Sequence, residues 1–466
     1  MKLSKSLLGL ISCLILGGCA QIPQKSESSP PSVILVLADD LGWADISCQG
    51  SAWATPAIDQ LAAEGVRLTR AYSNGPNCAP SRACLMTGLD VAEHGVFTVA
   101  PAARGKKENR KLVPPKTRRT LEDDEITIAE MLKGSGYRSA HIGKWHLGDD
   151  PRSQGFDVSI AGDRRGHPKT HLAPWKLPHL PEQEDGTELA DALTDHAIDF
   201  IRECGDQPYL LVLSHYAVHT PVQVSEAALK RWQKIWPEGT RRQQKYAALV
   251  ESVDRSVSRL MEEVRAGGEG RETVIIFTSD NGGLEGFTDN GPLRGGKGML
   301  YEGGIRTPLI MRWPDGIEPG ATSATPVIGV DLYPTLAELA GAPLPDTQPL
   351  DGVSLLPTLM GSGDVPERDL IWHFPAYLEA DRSVADTWRT TPASALRRGP
   401  YKVIHFFEDD RWEVYDLTSD ESETNDLAGA RPELTEALRS GLQTWWTDVD
   451  AFVPTEPNPL YRGEAN

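Results

Sequence analysis

Three uninterrupted apolar runs set the architecture of this chain. Ser32-Val33-Ile34-Leu35-Val36-Leu37-Ala38, Tyr209-Leu210-Leu211-Val212-Leu213 and Thr273-Val274-Ile275-Ile276-Phe277-Thr278 lack the polar alternation of a half-solvated strand. Strands of this kind are buried on both faces, as at the centre of a parallel sheet. Helical patterns lie between them. Thr55-Pro56, then Ile58, Leu61, Ala62 and Gly65, reads as a helix with a cap, an early proline and a terminal glycine. Tyr246, Leu249, Val250, Val253, Val257, Leu260, Met261 and Val264 recur at helical spacing over 242–264. Residues 126–132 read as a helix stopping at Gly134, and 66–72 as one strand. This alternation predicts an α/β fold with a large, mostly parallel sheet between helices.

A stretch rich in Pro, Gly and Asp at 341–366 marks the passage to a second unit. There, 401–407 and 412–415 read as a hairpin around Glu408-Asp409-Asp410-Arg411, and 432–446 as a last helix. A smaller C-terminal α+β domain with an antiparallel sheet is therefore expected at 361–466, after an N-terminal α/β domain at 32–360.

The first 31 residues are read as processing and tethering sequence. Lys2 and Lys5 precede an apolar run at 7–16, too short for a membrane span. Leu16-Gly17-Gly18-Cys19 resembles a bacterial lipobox, in which Cys19 takes a diacylglycerol and becomes the first mature residue. Residues 1–18 would then be a lipoprotein signal peptide and 19–31 a tether. The alternative is an ordinary signal peptide with an incidental cysteine. The lipobox reading predicts an exported lipoprotein of the bacterial cell envelope, periplasmic or anchored at the outer membrane, meeting the membrane through its lipid alone. A formal charge of −19 over 466 residues argues against a general binder of nucleic acid. Cys48, Cys78, Cys84 and Cys204 remain in the mature chain without C-x-x-C or paired Cys/His spacing. Neither a structural zinc site nor a disulfide framework is expected.

The first apolar run leads straight into Asp39-Asp40, and the third into Asp280-Asn281. Ligands of open α/β sheets gather at the carboxyl ends of strands. Three carboxylates and an amide delivered to one edge suit a hard cation such as Ca²⁺ or Mg²⁺. Either pair alone would read better as the cap of a turn. Cys78-Ala79-Pro80-Ser81-Arg82, with Thr87-Gly88 beyond it, follows a strand and opens a helix. A nucleophile there would sit in the positive potential of free N–H groups. By itself, such a cysteine could be a thiolate nucleophile or a structural thiol.

Cys78-x-Pro80-Ser81-Arg82 followed by Thr87-Gly88 resembles the maturation signal of the formylglycine-dependent sulfatases, members of the alkaline-phosphatase-like superfamily. Asp39-Asp40-x-Gly42, Gly143-Lys144-Trp145-His146-Leu147-Gly148, Gly155-Phe156-Asp157, His219-Thr220-Pro221, Ser279-Asp280-Asn281-Gly282, Gly296-Lys297-Gly298 and Glu302-Gly303-Gly304-Ile305-Arg306 resemble the family's other segments. Val218 departs from the pattern, where proline often precedes the histidine. The resemblance covers roughly 32–430.

What it implies is specific. A maturation enzyme that generates formylglycine would oxidise Cys78 to the aldehyde 3-oxoalanine, which hydrates. One hydroxyl attacks sulfur in line and expels the alcohol, leaving a sulfo-enzyme intermediate. The other then loses its proton and ejects inorganic sulfate, restoring the aldehyde. Asp39, Asp40, Asp280, Asn281 and an oxygen of the modified residue 78 would hold Ca²⁺. Arg82 and Lys144 would steady residue 78, and His146, His219 and Lys297 would contact the sulfate. His219 or Lys297 would protonate the leaving oxygen. A sulfate ester gains negative charge on its bridging oxygen as the S–O bond breaks, so fixed positive charge is needed there. An exported lipoprotein of this kind would act on sulfate esters of carbohydrate, such as a polysaccharide-derived oligosaccharide. Trp372 and His373, in a segment dense with sugar-stacking residue types, are expected to touch that sugar, or else to form an aromatic core. His167, His171 and 168–181 lie where a variable pocket wall is expected, and the basic stretch 101–125 reads as a solvated loop or a track for a polyanion. Two further readings are a phosphoesterase or phosphonate hydrolase of the same superfamily, against which the Cys78 segment argues, and a non-catalytic glycan-binding lipoprotein.

Overall fold

The computed structural model describes residues 30–267, 272–380 and 388–463. The leader and Cys19 lie outside them. In chain order the strands of the first region are β1 Ser32–Ala38, β2 Val66–Leu68, β3 Ala71–Tyr72, β4 Arg138–Gly143 and β5 Val158–Ile160. They continue with β6 Tyr209–Ser214, β7 Thr273–Ser279, β8 Leu309–Arg312, β9 Ala321–Ser323 and β10 Val327–Ile328. The large sheet has the order β5-β4-β6-β1-β7-β8-β2-β9. Its strands from β5 to β7 are parallel, and β8 runs antiparallel to β7 and β2. The three apolar runs are its adjacent centre, β6-β1-β7.

Burial on both faces explains why these runs are continuous. Ile34, Val36 and Ala38 of β1 join a core with Leu193, Tyr246 and Val253, from helices Leu189–Cys204 and Arg241–Ala266. Val33, Leu35 and Leu37 face the opposite core, with Ala83, Leu132 and Leu336. Helix α1 is Pro56–Ala63, and α2 is Cys78–Thr87.

Two expected boundaries shift. The predicted strand at 66–72 is two strands, because β2 pairs with β8 and β9 whereas β3 leaves to pair with β10. The predicted helix at 126–132 is Ile128–Lys133. Thr127 is its cap: the Thr127 hydroxyl accepts from Glu130 N at 3.3 Å, and Glu130 Oε2 accepts from Thr127 N at 2.8 Å.

The C-terminal strands are β11 Asp369–Phe374, β12 Leu378–Glu379, β13 Trp388–Thr390, β14 Ala393–Arg398, β15 Tyr401–Phe406 and β16 Arg411–Asp416. An antiparallel sheet β11-β14-β15-β16 contains the predicted hairpin as β15 and β16. Helix Pro432–Asp448 packs on it through Leu438 and Leu442. The fold is thus α/β with a large, mostly parallel sheet and a C-terminal antiparallel one. Among the described residues, no helix is long and apolar enough to cross a membrane.

Candidate active site

Ala38 lies opposite Ser279 in the β1–β7 register, so Asp39-Asp40 and Asp280-Asn281 leave the sheet side by side. The Asp40 amide donates to Asp280 Oδ1 at 3.1 Å, and Asn281 Nδ2 to Asp40 Oδ1 at 2.9 Å. All four residues are buried. Asp40 has φ 62°, a left-handed conformation that costs a non-glycine residue about 1–3 kcal/mol.

Helix α2 brings Cys78 and Arg82 to this edge. Cys78 is its first residue, and its Sγ lies 3.5 Å from Asp39 Oδ1 and 3.7 Å from Asp40 Oδ1. One turn on, Arg82 donates to Asp280 Oδ2 from Nε at 2.8 Å and to the Lys144 carbonyl at 2.7 Å. It also contacts the Ser214 hydroxyl, which donates to that same carbonyl at 2.8 Å. Ser214 is a site residue that sequence reasoning missed. It ends a strand that otherwise reads as core, and no motif marks it.

Two lysines each take one of the paired aspartates. Lys144, just past β4, places Nζ 2.7 Å from both oxygens of Asp39. Lys297 places Nζ 2.6 Å from Asp40 Oδ2 and 3.4 Å from Cys78 Sγ. Its loop is fixed by Lys297 N donating to the Gly283 carbonyl at 2.9 Å and Gly298 N to the Pro76 carbonyl at 2.7 Å.

The histidines complete the group. His219 Nε2 is 3.5 Å from Asp40 Oδ2, and its Nδ1 is 2.7 Å from the Thr220 carbonyl. That contact assigns the proton to Nδ1 and leaves Nε2 toward the carboxylate. His171 is buried and donates to the His219 carbonyl at 2.8 Å, while His167 stacks on the His219 ring at 6.0 Å between centroids. His146 has φ 67°, and a Cβ at Gly166 would come within 2.4 Å of its ring. Burial, followed by Lys144 and Arg82, holds His146 well below the usual imidazole range. Burial and Lys297 lower His219. Burial alone would raise Asp40, but Lys297 and His219 hold it far below the usual carboxylate range.

The donor set fits a hard cation. Atoms of Asp39, Asp40, Cys78 and His219 lie within 4.8 Å of one another, and Asp40 ties Asp280 and Asn281 to them. Asn281 Oδ1 is buried without a hydrogen-bond partner. Burial pushes the Asp39 carboxyl up even against Lys144, so another positive charge would hold it ionised. An orphaned amide oxygen among carboxylates is what an oxygen-liganded ion such as Ca²⁺ requires.

Above Cys78 opens a cavity of about 360 Å³, within the usual range for small-ligand sites. His146, His219 and Lys297 line it with Arg104, His167 and Arg389. Both arginines were missed as site residues, because nothing in their local sequence separates them from surface charge. Trp372 and His373 do not line it, which corrects the expectation that they meet substrate. They lie on β11 in the core of the C-terminal unit, 1% and 2% exposed. Trp372 Nε1 donates to the Ser73 carbonyl at 2.7 Å, and His373 bonds the Ser394 hydroxyl at 2.6 Å and the Phe452 carbonyl at 3.0 Å. Their aromatic density serves packing.

Comparison with known proteins agrees on one family. The chain matches the family described as Sulfatase over residues 31–342, and the C-terminal family of N-sulphoglucosamine sulphohydrolase over 296–446. It is 31% identical to a sulfatase of Formosa agariphila, covering 91% of this chain and 90% of that one. It is 32% identical to human arylsulfatase A, covering 93% and 91%. The crystal structure of Ps i-CgsB in complex with k-i-k-neocarrahexaose superposes with a TM-score of 0.75 at 28% identity, covering 90% of this chain and 93% of that one.

Proposed function

Because the chain belongs to the sulfatase family of sulfuric ester hydrolases, we propose that it removes sulfate from a polysaccharide-derived oligosaccharide, using a nucleophile made from Cys78. One observation carries the reading. Cys78 Sγ stands within 3.7 Å of Asp39, Asp40 and Lys297 at the floor of an open cavity. The thiol marks where the oxygen of a formylglycine hydrate would lie. When present, that hydrate supplies the attacking hydroxyl, and Ca²⁺ offsets the charge of the sulfate oxygens.

The chain's own residues do the rest. Arg82 fixes Asp280 and the backbone at Lys144, and Lys144 fixes Asp39, so the carboxylates keep their places without solvent. Lys297 and His219 flank the space above Cys78 and are the two groups placed to give a proton to the departing sugar oxygen. Lysine brings permanent charge that favours the developing anion, and His219 brings an Nε2 that carries a proton only when the ring is charged. His146 lines the same wall and is held neutral, so it contacts sulfate by a hydrogen bond.

The same proposal places the protein outside the cytoplasm, anchored through Cys19, where a sulfated glycan would be met, and makes it dependent on a separate formylglycine-generating enzyme. Similarity to sulfatases and to a protein solved in complex with k-i-k-neocarrahexaose supports the substrate class. The test is mass spectrometry of the peptide spanning Cys78, from protein expressed with a maturation enzyme. The expected peptide is about 18 Da lighter than the cysteine form, or its hydrate. Unmodified cysteine in protein that nonetheless releases sulfate would overturn the nucleophile.

A further inference from the structure

We propose that Arg104, supported by Arg389, forms a second anion subsite beside the reacting sulfate, so that the preferred substrate carries another sulfate or a carboxylate close to the ester that is cleaved. The inference rests on the sulfatase reading above and specifies its substrate.

The charge of the cavity wall leads there. Arg104, Arg389, Lys297 and three histidines line it, and among the described residues no aspartate or glutamate does. This occurs in a chain of net charge −19. Lys297 is matched by Asp40 at 2.6 Å and faces Cys78, so it belongs to the sulfate that reacts. Nearby arginines also have acids: Arg118 meets Glu125 at 2.9 Å, and Arg164 meets Asp149. Arg104 differs. Among the described residues no carboxylate pairs with it, and its Nε is enclosed without a hydrogen-bond partner. A half-buried guanidinium with an unmet donor is costly unless an anion completes it.

The backbone that carries it is held in place. Arg110 Nη1 donates to the carbonyls of Ala103, Arg104 and Gly105 at 3.0, 2.7 and 2.8 Å. Tyr377 N donates to the Ala102 carbonyl at 3.1 Å. Gly105 has φ +70°, and a Cβ there would meet the Trp388 ring at 2.6 Å. These contacts make the basic loop a built wall of the cavity. Arg389 stands next to Lys297, with Nη1 3.5 Å from the Lys297 carbonyl, and a Cβ at Gly298 would come within 2.9 Å of its Cδ. The two arginines therefore enter the cavity that holds the reacting group. Guanidinium matches the planar, two-oxygen edge of a sulfate or carboxylate. A glycan with a single sulfate would leave Arg104 unmet.

The test measures selectivity. Hydrolysis of 4-nitrophenyl sulfate by the matured protein reports occupancy. Its competitors are N-acetylgalactosamine 6-sulfate, N-acetylgalactosamine 4,6-disulfate, and the 6-sulfated sugar linked to glucuronate. The wild type is expected to bind one dianionic competitor at least about tenfold more tightly than the monoanion. Arg104→Gln should bring that ratio close to one, and Arg104→Lys should keep part of it. Whichever dianion gains identifies sulfate or carboxylate as the second group. A wild type without preference overturns the proposal. So does an Arg104→Gln variant that weakens every competitor equally, because Arg104 would then serve the reacting sulfate or the fold. If matured protein hydrolyses no aryl sulfate, the sulfatase reading fails instead. Calorimetric titration of Cys78→Ala with the same three sugars still reads the ratio.

Discussion

Lys144 and Asp39 form an ion pair that solvent does not reach, with Nζ equidistant, at 2.7 Å, from both carboxylate oxygens. Such a pair gives little net stability over apolar packing, but losing one partner strands the other charge. Its value here is positional. It holds Asp39 with Oδ1 3.5 Å from Cys78 Sγ, and the same Nζ lies 4.0 Å from Asp280 Oδ2.

Lys144→Ala is expected to lower stability by about 3–5 kcal/mol in the presence of chelator. Ca²⁺ should recover part of that loss, because it gives Asp39 another counter-charge. Urea unfolding with EDTA and with Ca²⁺ measures both values. An equal loss in the two conditions would show that the cation does not sit at Asp39.

Lys297→Ala addresses the other lysine. Its Nζ touches both Asp40 and Cys78, and its side chain is 11% exposed at the cavity. Removing a fixed charge from a reacting oxygen costs about 10²–10³ in turnover. We expect at least that loss on aryl sulfate, with a Tm close to wild type in Ca²⁺. Lys297→Arg should rescue little, since a planar fork does not replace a compact ammonium. Comparable turnover of Lys297→Ala and wild type would remove Lys297 from the chemistry.

Much of this site is legible in the sequence for a physical reason. Parallel strands buried on both faces must be apolar throughout, so β1, β6 and β7 stand out, and polar residues directly after them must lie at the carboxyl edge. Asp39, Asp40, Asp280 and Asn281 therefore converge as expected. Cys78 at the start of α2 was equally readable. Side-chain direction was not. Trp372 and His373 have the composition of a sugar platform, but β11 is covered on both faces, Trp372 packing against Tyr72 and His373 against Phe407 and Trp445. Arg104 shows the converse. In sequence it is one cation in a basic loop. Its importance comes from the carbonyl contacts of Arg110 and, among the described residues, from having no carboxylate paired with it, which only the folded chain displays.

Asp254 offers a test of the scaffold. It lies in helix Arg241–Ala266, and its Oδ1 accepts from Ala57 N at 3.0 Å and Ile58 N at 2.9 Å, at the start of α1. The Thr55 side chain makes no capping bond there, so Asp254 caps α1 from another helix. Asp254→Ala should cost about 1–2 kcal/mol in urea unfolding. Asp254→Asn keeps the acceptor and should lose less. Equal losses would mean that the carboxylate charge, rather than the acceptor, matters.

Glu93 should make stability depend on pH. Burial, a hydrogen bond to Asp351 and the charges of Asp351 and Asp90 push its carboxyl up to about 9. In the unfolded chain a glutamate titrates near about 4.3. Below that value both states hold the proton, and this contribution to native stability is complete. As pH rises from there toward 9, the unfolded chain has released the proton while the native protein retains it, so stability falls with pH across the window. Above the native pKa the contribution is gone. Glu93→Gln keeps the uncharged shape and cannot ionise, so its Tm should fall less between about pH 5 and 9 and exceed that of wild type by a few degrees at the alkaline end. Scanning calorimetry of both proteins in Ca²⁺ across that range measures the difference. Parallel Tm curves would show that Glu93 ionises in the native protein as it does in the unfolded chain.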